Sequence, residues 1–153
     1  AAFDMALSMF TTFGYFDDKE EDVEVLRNVL ASLKPGGVLV MELVGKEFLA
    51  GGFQPVTMET LPDGSRLIQR HEIFDDWTRI RNEWILVRKG RTRTFTFHHT
   101  LYSGQELKDR LYAAGFADVR LYGNLEGDPY GLASPALVAV ARRASAHRRR
   151  SRS

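Results

Sequence analysis

The sequence contains no cysteine among its 153 residues. This excludes disulfide bonds, thiolate nucleophiles and cysteine-based zinc sites, and nothing in the sequence indicates an oxidising compartment. The sequence also lacks an apolar run near the roughly 20 residues that a membrane-spanning helix requires. Its first residues do not show the basic and then apolar pattern of a signal peptide. We therefore expect a cytoplasmic protein that does not insert into a membrane.

Metal-binding patterns are absent as well. There is no HxH or HExxH motif and no cluster of carboxylates at ligand spacing. His98 and His99 are adjacent, so in a regular strand they point to opposite faces and cannot ligate the same metal. We expect no bound metal.

The net charge of +1 hides an uneven distribution of basic residues. Six arginines follow Ala141, and the rest of the chain carries fifteen basic and twenty acidic residues, a net charge of −5. We assign residues 142–153 to a disordered basic tail. A nucleic-acid-binding arm is the alternative, but no aromatic RNA-binding motif or second basic face supports it. We expect no nucleic-acid partner.

The first third of the chain predicts strand, helix and strand. Residues 3–10 read as a buried strand, and apolar residues at helical spacing predict a helix over residues 18–33. Asp17 followed by Glu20 fits the start of that helix. The sequence Lys34-Pro35-Gly36-Gly37 predicts a sharp turn after it, because proline cannot continue the helical hydrogen bonds. Residues 38–43 then predict a second buried strand, apolar except for Glu42.

Residues 54–102 change to a period of two, which is typical of half-buried strands. Turn sequences divide this stretch into hairpin-length segments: Pro62-Asp63-Gly64, Asp75-Asp76-Trp77 and Lys89-Gly90. We predict an antiparallel meander inserted between the strands of a parallel sheet. After it, Ser103 and Glu106 form a capping box and Gly115 suits a left-handed helix end. Two further strands are predicted, over residues 116–122 and 136–141.

Two motifs carry a resemblance to a known family. Phe13-Gly14-Tyr15-Phe16-Asp17 follows the first strand, and Leu33-Lys34-Pro35-Gly36-Gly37 follows the helix. This order resembles the C-terminal half of a class I S-adenosylmethionine-dependent methyltransferase, of the bacterial small-molecule type with a β-sheet lid. The resemblance implies an α/β fold, half of a Rossmann-like sheet with an inserted antiparallel meander. Residues 1–53 and 103–141 would form the core, and residues 54–102 the lid.

The sequence also departs from that family. The glycine-rich loop after the family's first strand, and the acidic residue that ends its second strand, have no counterpart here. The resemblance therefore implies that this chain supplies the substrate side and one wall of the cofactor crevice. The strand at residues 3–10 would be an unprotected sheet edge, so we expect a homodimer or association with a missing N-terminal half. The alternative is a noncatalytic half-domain that serves as an interaction or assembly module.

The resemblance places the cofactor and the methyl acceptor, a small molecule, at the end of the first strand. It implies S-adenosylmethionine contacts from four residues and substrate contacts from Thr12, with Tyr15 in a catalytic role. The four cofactor residues are Ser8, Met9, Phe10 and Phe13. Phe13 and Tyr15 could instead belong to a hydrophobic plug over the helix start.

Three residues farther along the chain complete the predicted site. His99 shares one side of its strand with Phe95 and Phe97 and is a candidate general base, the alternative being a hydrogen-bonded core histidine. Glu42 interrupts an apolar strand near its carboxyl end, so it is a candidate substrate ligand or a member of a structural ion pair. Tyr130 lies in a loop that the resemblance brings near the substrate, although Pro129 and Gly131 also suit a plain turn.

Overall fold

The computed structural model describes residues 1–146 and contains two four-stranded sheets and three helices within that range. In chain order the elements are β1 (Phe3–Ser8), α1 (Lys19–Ser32), β2 (Leu33–Leu43), α2 (Lys46–Gly52), β3 (Val56–Thr60), β4 (Arg66–Phe74), β5 (Arg79–Arg88), β6 (Arg91–Thr100), α3 (Gly104–Ala114), β7 (Asp118–Tyr122) and β8 (Leu137–Arg142). The predicted α/β class with an inserted antiparallel meander is confirmed.

The first sheet has the strand order β1-β2-β8-β7. β1 and β2 are parallel, whereas β8 pairs antiparallel with both β2 and β7. Helices α1 and α3 contact each other and strands of this sheet, and the core lies between. Alternate residues of β2 face this core: Leu39, Met41 and Leu43 are at most 4% exposed. The sheet therefore has one face covered by helices.

The opposite face of the first sheet is apolar and open at β1. Met5 and Leu7 are 56% and 64% exposed, and they pair in register with the half-buried Val38 and Val40 of β2. β1 is also the edge strand, so one side of its backbone has no partner strand among residues 1–146. Apolar side chains and unpaired backbone groups thus lie together at this end of the sheet.

The start of β2 combines the predicted turn with a pairing that the sequence does not predict. Residues 34–37, where we predict a turn, have no register partner in β1 or β8, and Gly36 has a φ of 79°. The strand nevertheless extends back to Leu33, which pairs with Phe3. The register shifts between Phe3 and Met5, which marks a bulge. Because a bulge leaves backbone groups outside the ladder, it accommodates Pro35, which has no N–H to donate. α1 ends at Ser32, one residue earlier than predicted, because Leu33 already belongs to β2.

The second sheet is the predicted meander, in the order β3-β4-β5-β6 with every pair antiparallel, and we refer to it as the lid. It is fastened to the rest of the molecule near one end, which we call its base. The N–H of Thr100 donates to the carbonyl of Gly14 at 2.7 Å, and the Arg79 guanidinium contacts the Asp17 carboxylate at 3.1 Å. The turns at residues 61–65 and 89–90 lie at the far end, or tip.

α2 and the termini of two helices complete the fold. The sequence analysis did not predict α2, which spans seven residues and has no side-chain cap. α1 begins after Asp18, one residue later than the predicted cap, and the Asp18 carboxylate accepts from the N–H of Glu20. α3 has the predicted capping box of Ser103 and Glu106 and ends at Gly115, whose φ is 108°.

The end of the chain also differs from the prediction at two positions. Arg142, assigned to the tail, is the last residue of β8, because antiparallel pairing with Val38 extends the strand by one residue. The Arg143 guanidinium donates to the carbonyl of Leu30 at 2.9 Å, near the end of α1, where helical carbonyls lack intrahelical partners. Residues 147–153, the rest of the predicted tail, lie outside the described residues.

Within residues 1–146, no helix has the length and apolar character needed to cross a membrane. In that same range, no three residues of the histidine, aspartate and glutamate types are grouped closely enough to hold a metal ion.

Candidate functional site

A sharp turn at the carboxyl end of β1 forms one side of the candidate site. Phe10 and Thr11 both adopt left-handed backbone conformations, with φ of 57° and 54°. The Ser8 and Thr12 hydroxyls are hydrogen-bonded at 3.1 Å across this turn. The Phe10 ring is 86% exposed, and Met9 is half-buried. The turn presents a hydroxyl pair and an aromatic face beyond the end of the strand.

The end of β2 holds this turn in place through three hydrogen bonds. The N–H of Thr11 donates to the Glu42 carbonyl at 3.0 Å, and the N–H of Val44 donates to the Thr11 hydroxyl at 3.2 Å. The N–H of Phe10 donates to the Glu42 carboxylate at 3.2 Å. Glu42 therefore has a backbone partner rather than the cation expected of a structural ion pair. Its carboxylate orders the turn and lies at the edge where the parallel strands end.

A cavity of about 420 Å³ lies between the lid, α2 and the end of β2. Its size is within the range of small-molecule sites. The apolar part of its lining includes Val44, Phe48, Leu49, Phe53, Ile80 and Leu101, and the polar part includes Gln54, Thr57, Gln69, His71, Asn82 and His99. Val44 belongs to this lining and also bonds to Thr11, so the cavity lies beside the Ser8–Thr12 turn.

Tyr15 and His99, both predicted to be catalytic, are brought together by the fold. Their ring centroids are 5.3 Å apart, and Tyr15 also lies 6.3 Å from Phe97. Burial raises the pKa of the Tyr15 phenol, so the hydroxyl remains protonated at neutral pH and can donate a hydrogen bond. His99 lines the cavity, whereas Tyr15 is not a lining residue and packs against the His99 ring.

The hydrogen bond of His99 indicates which of its ring nitrogens carries a proton. Its Nδ1 lies 3.1 Å from the Thr100 carbonyl, which can only accept, so Nδ1 carries a proton and donates. Burial lowers the pKa of the His99 imidazole below its ordinary value, mainly by penalising the charged form. A neutral imidazole with Nδ1 protonated has an unprotonated Nε2. His99 can therefore accept a proton or a hydrogen bond at Nε2.

Two predicted site residues have structural surroundings instead. Phe13 is 5% exposed and its ring lies 5.6 Å from that of Tyr102, within the core cluster. This matches the hydrophobic plug that we gave as the alternative. The Tyr130 hydroxyl donates to the Glu47 carboxylate at 2.6 Å, and burial raises the pKa of the phenol. Tyr130 does not line the cavity; it fixes α2, which does.

Sequence reasoning missed α2 and the lid side chains that face the cavity. Gln69 and His71 come from β4 and Asn82 comes from β5, and only the register of β4 against β5 shows that they share a face. The sequence does contain one indication of these polar side chains, because Asn82 alternates with Ile80 and Trp84 on an otherwise apolar side of the strand. An amide at such a position needs a hydrogen-bond partner.

A second cavity of about 550 Å³ lies mainly on the opposite face of the lid, and it shares His71 with the first cavity. Its lining includes the charged residues Arg70, Glu72, Arg81 and Glu83. Its charges are already neutralised, because Arg70 contacts Glu83 at 2.9 Å and Arg81 pairs with Glu72. It also lies away from the ends of β1 and β2. The 420 Å³ cavity is therefore the candidate site.

Comparisons with known proteins identify the fold. No family model and no curated protein matches the sequence, but solved structures match it closely. The chain is similar to the CcbJ methyltransferase from Streptomyces caelestis (TM-score 0.79, 19% identity), covering 94% of this chain and 61% of that one. It is also similar to an S-adenosylmethionine-dependent methyltransferase from Clostridium acetobutylicum (TM-score 0.75, 11% identity), covering 94% and 59%.

A third similar structure is CalS10 from Micromonospora echinaspora, described as an amino pentose methyltransferase with S-adenosylmethionine bound. Its TM-score is 0.67 at 22% identity, covering 93% of this chain and 58% of that chain. These likenesses confirm, at the level of the fold, the resemblance to class I methyltransferases. The chain spans about three-fifths of the length of these structures.

Proposed function

We propose that this chain is the substrate-binding, lid-bearing part of an S-adenosylmethionine-dependent methyltransferase that acts on a small molecule. The observation that carries the proposal is the position of the 420 Å³ cavity. It lies under the lid and beside the turn at the carboxyl ends of parallel strands, where doubly wound sheets bind ligands. The absence of cysteine agrees with the cytoplasm as the proposed location.

The residues of the Ser8–Thr12 turn are suited to line one side of a site for the methionine part of the cofactor. A sulfonium ion is stabilised by aromatic faces and by carboxylates. The Phe10 ring is exposed beyond the strand end, and Glu42 supplies a carboxylate next to it. Ser8 and Met9 complete this wall as proposed cofactor contacts, and Thr12 as a proposed substrate contact. S-adenosylmethionine, when bound, supplies an electrophilic methyl group.

The chain's own tasks in methyl transfer are alignment, exclusion of water and removal of a proton. The acceptor would lie in the cavity between the lid and α2, and the apolar lining would exclude water. Nε2 of His99 would accept the proton that the acceptor loses, because burial favours the neutral imidazole. The Tyr15 hydroxyl would donate a hydrogen bond that orients the acceptor.

The open apolar face of the first sheet supports the proposal that this chain binds another polypeptide. Met5, Leu7 and the unpaired edge of β1 form an apolar surface that another polypeptide segment can cover. We propose that this partner is the remainder of a methyltransferase core or a second copy of the chain. The same surface favours the second candidate function, a noncatalytic module that assembles through β1.

Calorimetry with S-adenosylmethionine tests the proposal on the full 153-residue chain. We expect saturable binding that Phe10→Ala weakens, because the sulfonium loses its aromatic face. Leu125→Ala is the matched control, since Leu125 is an exposed apolar residue (62%) in a different part of the surface. Absence of binding, combined with assembly through β1, would instead support the noncatalytic module.

A further inference from the structure

The lid carries two polar side chains, His71 and Asn82, that have no role in the proposed methyl transfer. His71 of β4 and Asn82 of β5 are paired in register, so their side chains share a face. Nδ1 of His71 lies 2.7 Å from the Asn82 carbonyl oxygen Oδ1. Both residues line the 420 Å³ cavity, and Asn82 is 6% exposed.

This hydrogen bond leaves one acceptor and one donor group unused. Because the Asn82 carbonyl oxygen can only accept, Nδ1 of His71 donates this hydrogen bond, and in the neutral imidazole Nε2 is then an acceptor. The amide nitrogen Nδ2 of Asn82 is not one of the fully buried polar atoms without a partner, which among residues 1–146 are Oδ1 of Asp22 and Nε of Arg79. Because Asn82 lines the cavity and its hydrogen bond with His71 uses only Oδ1, Nδ2 is a donor that a ligand in the cavity can use.

Gln69 and His99 repeat this arrangement on the same wall. The Thr57 hydroxyl lies 3.2 Å from the Gln69 carbonyl oxygen, which leaves the Gln69 amide nitrogen as a donor. Nδ1 of His99 is used by the Thr100 carbonyl, which leaves Nε2 as an acceptor. The wall thus offers two amide donors and two imidazole acceptors. Hydroxyl groups, which both donate and accept, match such a mixed set.

The lining also selects against charged ligands. It contains no lysine, arginine, aspartate or glutamate among the described residues, so a bound phosphate or carboxylate would lack a cation and an ammonium group would lack a carboxylate. The other side of the cavity is apolar, with Phe48, Leu49 and Phe53 from α2 and the segment after it. Apolar surface of this kind packs against the C–H face of a ring.

We propose that the inner face of the lid is a recognition site for the hydroxyl groups of an uncharged ring-shaped ligand. His71, Asn82 and Gln69 are its specificity-determining residues, with Nε2 of His99 as a further acceptor. The inference rests on the proposed function in one respect, namely that this ligand is the methyl acceptor. The binding site itself is defined by the cavity and its hydrogen-bonding groups.

Nitrogen-15 NMR of the histidine rings in the full chain tests the site directly. We use methyl α-D-glucopyranoside as a neutral hydroxylated ring and glucose 6-phosphate as its charged counterpart, each titrated to about 100 mM to detect millimolar affinity. We expect the neutral ring to shift the His71 and His99 signals to saturation. His98, which follows the opposite face of β6, should not respond. Glucose 6-phosphate should bind roughly tenfold more weakly, because its phosphate lacks a cation in the cavity.

Variants of the lid identify the residues responsible. Asn82→Leu and Gln69→Leu should each weaken binding of the glucopyranoside roughly tenfold, because hydroxyls that enter the site lose a partner. Gln69→Glu, on a half-buried residue, is a second variant of nearly unchanged size and should weaken binding as well, because it replaces the amide donor with an acceptor. Thr94→Leu, at an exposed position on the opposite face of β6, is the matched control and should leave affinity unchanged.

Three results would overturn the proposal: no saturation of either ring signal, equal affinity for the phosphorylated sugar, or lid variants that bind like the original chain. The ring NMR also reports the tautomer, and a His71 protonated at Nε2 instead of Nδ1 would contradict the assigned pair. Binding of S-adenosylmethionine is measured separately by calorimetry. A chain that binds the glucopyranoside but not the cofactor would retain this site while losing the proposed methyl transfer.

Discussion

The Tyr102 hydroxyl donates a hydrogen bond of 2.5 Å to Oδ2 of Asp22, which joins the end of the lid to the first turns of α1. Asp22 is fully buried, and its Oδ1 has no hydrogen-bond partner among residues 1–146. Burial raises the pKa of the Asp22 carboxyl, and the hydrogen bond from Tyr102 only partly offsets this. Burial likewise raises the pKa of the Tyr102 phenol. The pair therefore connects the stability of the domain to pH.

Asp22→Asn should reduce the pH dependence of stability. Because the folded state raises the Asp22 pKa, the folded protein binds this proton more tightly than the unfolded chain. Stability should therefore fall as pH rises from about 4 through the folded pKa. The asparagine variant removes this loss while keeping the shape of the side chain. Urea unfolding at several pH values measures the effect, with Glu24→Gln on the exposed side of α1 as the control. Equal slopes for both variants would contradict the prediction.

The His99 imidazole should titrate below about pH 6.5, the ordinary histidine value. Its folded pKa is lowered by burial, so its contribution to stability is present above the unfolded pKa and is lost as pH falls through the folded one. NMR titration gives the pKa, and unfolding between about pH 5 and 7 gives the linked stability. His99→Gln should flatten that profile. A His99 pKa at or above the ordinary value would oppose its assignment as a neutral acceptor.

Charging the edge strand should reduce self-association or partner binding. Leu7→Lys places an ammonium group on the open apolar face, where another protein surface would have to desolvate it. We expect light scattering to show a smaller assembled fraction than for the original chain. Leu125→Lys changes an equally exposed apolar residue outside the strand and should have no such effect. An unchanged monomeric state in all three proteins would count against the proposed docking surface.

Gly115→Ala should destabilise the domain by about 1 kcal/mol or more. Gly115 ends α3 with a φ of 108°, which side-chain-bearing residues rarely adopt, and an added Cβ would lie 3.0 Å from Cδ2 of Leu30. Gly131→Ala is the control, since a Cβ there has open space and the backbone is not left-handed. Thermal unfolding measures both variants, and similar losses in the two would contradict a role for the left-handed cap.

The parts of the fold that sequence predicts well have local causes. The capping box at Ser103 and the left-handed end at Gly115 depend on residues a few positions apart, and the structure contains both. Period-two alternation likewise predicts the lid, because each strand shows its own pattern. The continuous pairing of β2 begins at Val38, as predicted, whereas the pairing of Leu33 with Phe3 joins residues thirty positions apart and has no local signal.

The candidate site depends on contacts that no single segment shows. The sequence indicates Tyr15 and His99 separately, and the contact between their rings follows from the way the base of the lid attaches to the segment after β1. The Asn82 pair with His71 requires the register of two strands. The family resemblance of its motif places Phe13 with the cofactor, whereas packing against Tyr102 encloses it.

The attachment of the lid at its base has a mechanical consequence. A sheet held at one end bends most at the other, so thermal displacements should be small at Thr100 and Arg79 and grow toward the turns at residues 61–65 and 89–90. Most cavity-lining residues of the lid, among them His71, Ile80, Asn82 and His99, lie in the half nearest the base. Changes in the length or sequence of the distal turns can therefore accumulate without moving the cavity wall, whereas a change at Gly14 or Arg79 would tilt that wall as a whole.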